Sequence, residues 1–354
     1  MKIENRGELQ ILMNMFQKNW KVLAVVVGAG VAREFLQRRH LIDLHGKVVL
    51  VTGGSRGLGL AIAEEFAHEG ARLVLCARDG QELDQARKQI ASLGAEVFTV
   101  TCDVSNPQEV ERTIEQATAQ FGGIDVLVNN AGIISAGPWQ TLTREDFKNS
   151  MDTMFWGTYN MTMAVLPQMR ARQSGRIVNI ASVGGRVSVP HLLAYSSAKF
   201  AIVGFSEGLQ AELAQDGVRV TTVIPGLMRT GSQVNTVMKG ESHETEYTLF
   251  TLLDTLPPFS TSARHAAKKI VQATRKGSRE IIITLPAQIL ARLNGAFPEL
   301  VSGIMSISTR FLPKGDGKGN TAYTGRESEN IITRSFLTGL GQQASRDYNE
   351  NPND

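Results

Sequence analysis

From residue 47 onward the chain alternates short apolar runs with longer amphipathic stretches. Val48–Val51 is a continuous apolar run bounded by glycines, which is how a strand buried on both faces reads. A helical pattern follows over Leu60–His68, stopped by Gly70, and Arg72–Ala77 is the next apolar run. Strand, glycine turn, helix and strand make a right-handed βαβ unit. The alternation continues. Asp79–Leu93 predicts a helix closed by Gly94, and Glu96–Thr101 a third strand. Ser105 and Gln108 predict a capping pair, with Pro107 early in the first turn of the helix they open. Ile124–Asn129 reads as a fourth strand. Thr143–Asp146 is a second capping signature, opening a long helix. Its stripe of Phe147, Met151, Met154, Phe155, Val165, Leu166 and Met169 predicts core packing and subunit contact. Arg176–Ile180, Val218–Ile224 and Glu280–Ile283 supply three more strands, the last preceded by a helix over Ala263–Arg275. Strands alternating with helices predict an α/β domain over residues 46–284, an open, doubly wound, seven-stranded parallel sheet.

Four stretches fall outside this frame. Residues 1–45 precede the first strand, and within them Val22–Ala32 is uncharged and flanked by Lys21 and Arg33. A spanning helix needs about 18–20 apolar residues, so this run is too short to cross a membrane. Two readings stand: a helix packed on the domain, or an interfacial helix whose basic end (Arg33, Arg38, Arg39, His40) meets anionic lipid. Residues 231–260 form a long connection of the kind that serves as a lid. Its apolar half (Leu249, Phe250, Leu252, Leu253, Leu256, Phe259), with Val187–Leu193, predicts an apolar substrate pocket. Residues 285–313 are apolar and broken by proline and glycine into short helices, fit to cover the pocket, form a subunit interface or dip into a membrane surface. Residues 314–354 are polar and read as largely disordered.

Composition narrows the classes. A chain of 354 residues accommodates one large α/β domain with extensions, or two small domains. A net charge of +3, from 37 basic and 34 acidic residues, gives no case for nucleic acid. Cys76 and Cys102 sit at strand ends and read as buried free thiols, which fits a reducing, cytoplasmic setting; peripheral membrane contact stays open through the two extensions. No metal is implied.

The chemistry gathers at the strand ends. Gly53, Gly57 and Gly59 after the first strand let backbone approach a phosphate closely, and the following helix N-terminus offers free N–H groups and partial positive charge. Where an acidic residue would hold the ribose of NAD, this chain has Arg78, and Arg56 lies inside the glycine loop. Guanidinium geometry suits a 2′-phosphate, so the pair predicts NADP(H) over NAD(H). Tyr195 and Lys199, four residues apart, share a helix face. A tyrosine pKa of about 10 is too high for a base at neutral pH, and a neighbouring ammonium lowers it. The pair can then pass a proton to or from a carbonyl oxygen, while the Ser182 hydroxyl polarises the same oxygen.

T-G-x-x-x-G-x-G (Thr52 to Gly59), Asn129-Asn130-Ala131-Gly132, Ser182, Tyr195-x-x-x-Lys199 and Pro225-Gly226 stand in this order. The set resembles the short-chain dehydrogenase/reductase family over about Gly46–Ile283. The resemblance implies a Rossmann-type sheet and a catalytic trio of Ser182, Tyr195 and Lys199, with Lys199 also positioning ribose. It implies cofactor contacts from Thr52, Gly53, Ser55, Arg56, Gly57, Leu58 and Gly59, and from Arg78. It adds Asp103 and Val104 near the adenine, Asn130, Ala131 and Gly132 near the nicotinamide ribose, Pro225 and Gly226 after the sixth strand, and Thr230 at the carboxamide. It departs at Met154, where many members carry an asparagine that helps hold a water for the proton relay; a thioether donates nothing. The expectation is an NADP-dependent oxidoreductase acting on a hydrophobic carbonyl or alcohol, as a homodimer or homotetramer. The rival is a non-catalytic NADP-binding sensor or scaffold.

Overall fold

The computed structural model describes residues 41–257, 259–315 and 320–350. The apolar run Val22–Ala32 and its basic flank lie outside the described residues. Among the described residues no helix is long and apolar enough to cross a membrane.

Seven strands form one parallel sheet: β1 (Val48–Thr52), β2 (Arg72–Ala77), β3 (Val97–Thr101), β4 (Val126–Asn129), β5 (Gly175–Ile180), β6 (Val218–Pro225) and β7 (Glu280–Ile283). Their spatial order is β3-β2-β1-β4-β5-β6-β7. The order reverses between β1 and β4, so the crevice outside their carboxyl ends is the ligand position of a doubly wound sheet. β1, β4 and β5 are buried along their whole length, as parallel strands between two helix layers are.

Helices cover both faces. Alternate residues Val48, Leu50, Val74 and Cys76 pack with Val110, Ile114 and Ala117 of α3 (Pro107–Phe121) and Met161, Val165 and Met169 of α4. α4 comprises Arg144–Ser150 and Gly157–Ala171, joined by a π-helical stretch, Met151–Trp156. α5 (Leu193–Glu212) completes that layer through Leu209. α1 (Gly57–His68), α2 (Gly80–Ala91) and α7 (Ala263–Lys276) form the other layer, where the small side chains Ala61, Ala63, Ala266 and Ala267 are buried. Cys76 and Cys102 are buried free thiols.

Local chemistry explains the helix ends. Asp79 caps α2, accepting from the N–H groups of Gln81 and Glu82. Thr143 and Asp146 form the expected capping box. The cap of α3 is corrected by one position. Asn106, not Ser105, accepts the N–H groups of Gln108 and Glu109, because the Ser105 hydroxyl is spent on Asp103 at 2.7 Å.

The later segments differ most from expectation. The long connection carries a helix, α6 (His243–Thr255), which buries Glu246, Tyr247, Thr251, Asp254 and Thr255 and leaves Leu253 exposed; Phe259, beyond the helix, is exposed too. Its leucines therefore line less of a pocket than their composition suggested, although Leu192 and Phe250 do pack on one cluster with Ala136, Met238 and Tyr247. α8 (Leu285–Ala296) and α9 (Pro298–Ser308) expose most of their large apolar side chains, among them Leu285, Ile289, Phe297, Leu300 and Ile307. The tail is ordered over 320–350. Ala322–Thr324 pairs antiparallel with Val237–Lys239, and α10 (Gly339–Asp347) packs on α6. Composition misread it because what it buries is small and polar: Ser328, Thr333, Thr338 and Ser345. The first three lie in local hydrogen-bonded turns, such as Thr338 Oγ1 donating to the Thr333 carbonyl at 2.7 Å.

Candidate active site

The glycine loop leaves β1 and enters α1 directly. Gly53 and Gly57 adopt φ of 61° and 56°, in the left-handed region that favours glycine. A side chain at Gly59 would run into the Gly53 carbonyl and the Asn130 amide. The loop is fastened to the end of β4. Thr52 Oγ1 accepts the N–H groups of Asn130 and Ala131 at 2.9 and 3.0 Å, and Asn130 Nδ2 donates to the Thr52 carbonyl at 3.0 Å. Thr52 and Asn130 thus shape the crevice through each other. The N-cap residue of α1, Arg56, makes no side-chain capping bond, and its first turn carries no acid. A glycine-walled cradle under an uncapped helix N-terminus fits a dinucleotide phosphate.

The two arginines are placed differently. Arg78 is exposed and has no ion-pair partner among the described residues. Arg56 Nη1 is paired with Glu82 at 2.7 Å, Ser55 Oγ donates to the same carboxylate at 2.9 Å, and Arg56 Nε lies 3.5 Å from Glu350. Sequence reasoning missed both acids. Glu82 is four residues past Arg78, on the first turn of α2, and no spacing rule marks it; Glu350 comes from the tail.

Asp103 turns its carboxylate to its own loop, accepting from the Ser105 backbone and hydroxyl at 2.9 and 2.7 Å. Val104 is buried against Gly157. Asn129 bridges to Thr162 and Asn179, holding β4 to α4 and β5. Leu58 is buried, and Gly132 faces the Met154 side chain. Past β6, Pro225 ends the strand, Gly226 lies against Thr284, and Thr230 is buried and donates to Ser232 at 2.8 Å.

Ser182, Tyr195 and Lys199 come together at the carboxyl end of β5 and the start of α5. Ser182 Oγ accepts the Gly184 N–H at 3.0 Å and is hydrogen-bonded to the Tyr195 hydroxyl. Lys199 is buried; its Nζ donates to the Ile180 carbonyl at 2.7 Å and lies 5.6 Å from the centre of the Tyr195 ring. Burial raises the Tyr195 phenol above its ordinary value, and the Ser182 hydrogen bond draws it back. Burial pushes Lys199 down to about 8. In this arrangement the pull on the phenol comes from Ser182, while the ammonium is turned to a backbone carbonyl. Met154 is fully buried in the π-helical stretch, in one apolar cluster with Ala181, Ala198 and Ile202. Asn160 is no substitute for an asparagine there, since its amide donates to the Val104 carbonyl at 3.1 Å. A second polar pair, His191 with Glu246, joins the segment before α5 to α6.

A doubly wound parallel sheet with a phosphate cradle at its switch point, and a Ser/Tyr/Lys cluster beside it, defines a dehydrogenase-type nucleotide-binding enzyme. The family model described as short chain dehydrogenase matches residues 47–240. A dehydrogenase/reductase SDR family protein 7-like of Anopheles gambiae is 33% identical over 253 residues, covering 70% of this chain and 78% of that protein. The granaticin polyketide synthase putative ketoacyl reductase 1 of Streptomyces violaceoruber is 40% identical over 185 residues, 52% of this chain and 68% of that one. Among solved structures, a short-chain dehydrogenase/reductase from Burkholderia phymatum in complex with NAD matches with a TM-score of 0.67 at 26% identity, over 73% of this chain and 96% of its own. The chain belongs to the short-chain dehydrogenase/reductase family, and it is an oxidoreductase of the nicotinamide-dependent kind.

Proposed function

We propose that this enzyme is an NADP-dependent oxidoreductase that interconverts a hydrophobic carbonyl and its alcohol, acting as a homo-oligomer. The observation that carries the reading is the hydrogen-bonded Ser182–Tyr195 pair with buried Lys199 beside it. A bound nicotinamide supplies or accepts the hydride. The chain's own residues handle the oxygen. Ser182 orients the Tyr195 hydroxyl and, with a substrate present, polarises its carbonyl. Tyr195 gives the carbonyl oxygen a proton in reduction and takes it back in oxidation. Lys199, held by the Ile180 carbonyl, keeps positive charge beside the tyrosine ring. Leu192 and Phe250 contribute the apolar side of the substrate region.

The test is turnover of a graded panel of aldehydes and ketones, from short to long-chain and polycyclic, followed by NADPH absorbance. Tyr195→Phe is expected to lower kcat by about 10³-fold while leaving cofactor affinity within a few-fold. Cofactor binding without turnover on any carbonyl would return the non-catalytic reading. For the choice of cofactor, Arg78, exposed and unpaired among the described residues, is the supporting feature, since Arg56 is engaged by Glu82. Arg78→Ala should weaken NADPH binding about tenfold or more and leave NADH binding unchanged. An unaltered affinity ratio in isothermal titration would count against NADP.

A further inference from the structure

The tail returns to the glycine loop. The Gly57 N–H, the first of α1, donates to the Tyr348 carbonyl at 2.8 Å, and Asn349 Nδ2 donates to the Ser55 carbonyl at 3.4 Å. Glu350 is buried, with 3% of its surface exposed. Its Oε1 occupies the space a side chain at Gly57 would fill, while Oε2 lies 3.5 Å from Arg56 Nε and accepts from Asn235 Nδ2 at 2.6 Å. The approach is built from both ends. Gly231, with φ of 83°, lets the Ser345 backbone close in, and Glu350 N–H donates to the Ser345 carbonyl at 2.9 Å. Tyr348–Glu350 therefore bridges the two walls of the crevice, the glycine loop after β1 and the segment after β6.

A carboxyl group and one backbone carbonyl here take what the dinucleotide needs: the guanidinium of Arg56 and the N–H at the head of α1. The tethered Tyr348 carbonyl and Glu350 carboxyl meet these donors at high effective concentration. We propose that Tyr348–Glu350 is an internal stand-in for the cofactor phosphates, so that the dinucleotide binds by displacing the tail from the glycine loop. This rests on the reading that the loop holds a nicotinamide dinucleotide, but not on which one. The cofactor affinity of the intact chain is then the intrinsic affinity reduced by the fraction of molecules with the tail displaced.

The pH dependence has a definite sign. Burial pushes the Glu350 carboxyl up to about 7, with Arg56 and Asn235 drawing it down and Glu82 pushing it up. A displaced tail returns the group to an ordinary value of about 4.3. The docked form thus takes up a proton. Docking is favoured at low pH and weakens as pH rises through about 7.

The experiment is titration calorimetry with NADH and with NADPH on the intact chain, on Glu350→Ala, and on a chain lacking residues 348–354. Removing the tail is expected to tighten binding of both about tenfold, and Glu350→Ala about threefold to tenfold. NADH affinity of the intact chain should improve between about pH 6 and about pH 8, and that slope should flatten in Glu350→Ala. Hydrogen exchange supplies a readout free of turnover: NADH added to the intact chain should speed exchange in the 339–350 peptide. Unchanged or weaker binding after deletion, or protection of that peptide by cofactor, overturns the proposal. If neither chain binds either dinucleotide, the cofactor reading of the loop falls, and the tail proposal with it. Should the deletion fail to fold, Glu350→Ala and the exchange measurement decide.

Discussion

Ser182 serves two neighbours with one oxygen, accepting the Gly184 N–H and bonding the Tyr195 hydroxyl. In a half-buried phenol that bond is the force opposing the rise caused by burial. Ser182→Ala should therefore raise the Tyr195 pKa. Alcohol oxidation needs the deprotonated tyrosine, so the limb of its pH–rate profile should move to higher pH, with kcat lower by about 10²-fold. A profile that keeps its position while kcat falls would mean that Ser182 acts on the substrate alone. The trio itself was legible, because Tyr195 and Lys199 four apart on a helix have little choice but to share a face. What could not be read was where Lys199 points, since the Ile180 carbonyl that takes its ammonium is set by the end of β5.

At the scale of elements, strands were legible where they are buried on both faces. β1 and β2 write themselves as apolar runs, Val48–Val51 and Leu73–Ala77, because parallel strands between two helix layers have no wet side. Helix starts marked by a capping residue were legible to within a residue, whereas α1 starts at Gly57, three residues before the expected Leu60; the miss at α3 is instructive. Ser105 and Asn106 are both good caps, and the choice between them is made by Asp103, whose carboxylate captures the serine. Asn106→Ala should cost about 1 kcal/mol, or about 2–4 °C in Tm by calorimetry, and Ser105→Ala less. Equal losses would contradict the assigned cap. The π-helical turn at Met151–Trp156 had no signal, since nothing in an apolar helical stripe distinguishes one hydrogen-bond register from the next. α6 went unread for the opposite reason to the strands: its buried face is the polar one, Glu246, Thr251, Asp254 and Thr255. Asp254 shows how such a face is accommodated: its carboxyl, pushed up to about 7 by burial, accepts the Met228 N–H at 3.1 Å.

At the scale of the molecule, the outer side of α4 and α5 is aromatic. Phe155, Trp156, Tyr159 and Phe205 stack edge to face or tilted, with ring centres 4.9 to 6.1 Å apart, and Trp156 and Phe200 remain 46% and 44% exposed. Exposed aromatic rings on a rigid two-helix face suit a self-complementary interface. If the proposed homo-oligomer uses it, Trp156→Glu should shift the light-scattering mass to that of a single chain without lowering Tm. A mutant that keeps the wild-type mass would move the interface elsewhere, with the exposed face of α8 and α9 the next surface to change.

The hydrogen bond from Asn349 to Ser55 joins residues 294 positions apart. The glycine loop leaves the ribosome well ahead of its partners in the tail. Closing so long a loop costs little extra in stability, but it comes late in folding. The nascent sheet can therefore assemble around an open phosphate cradle, and a dinucleotide present in the cell has its first access to this protein before the tail has been made.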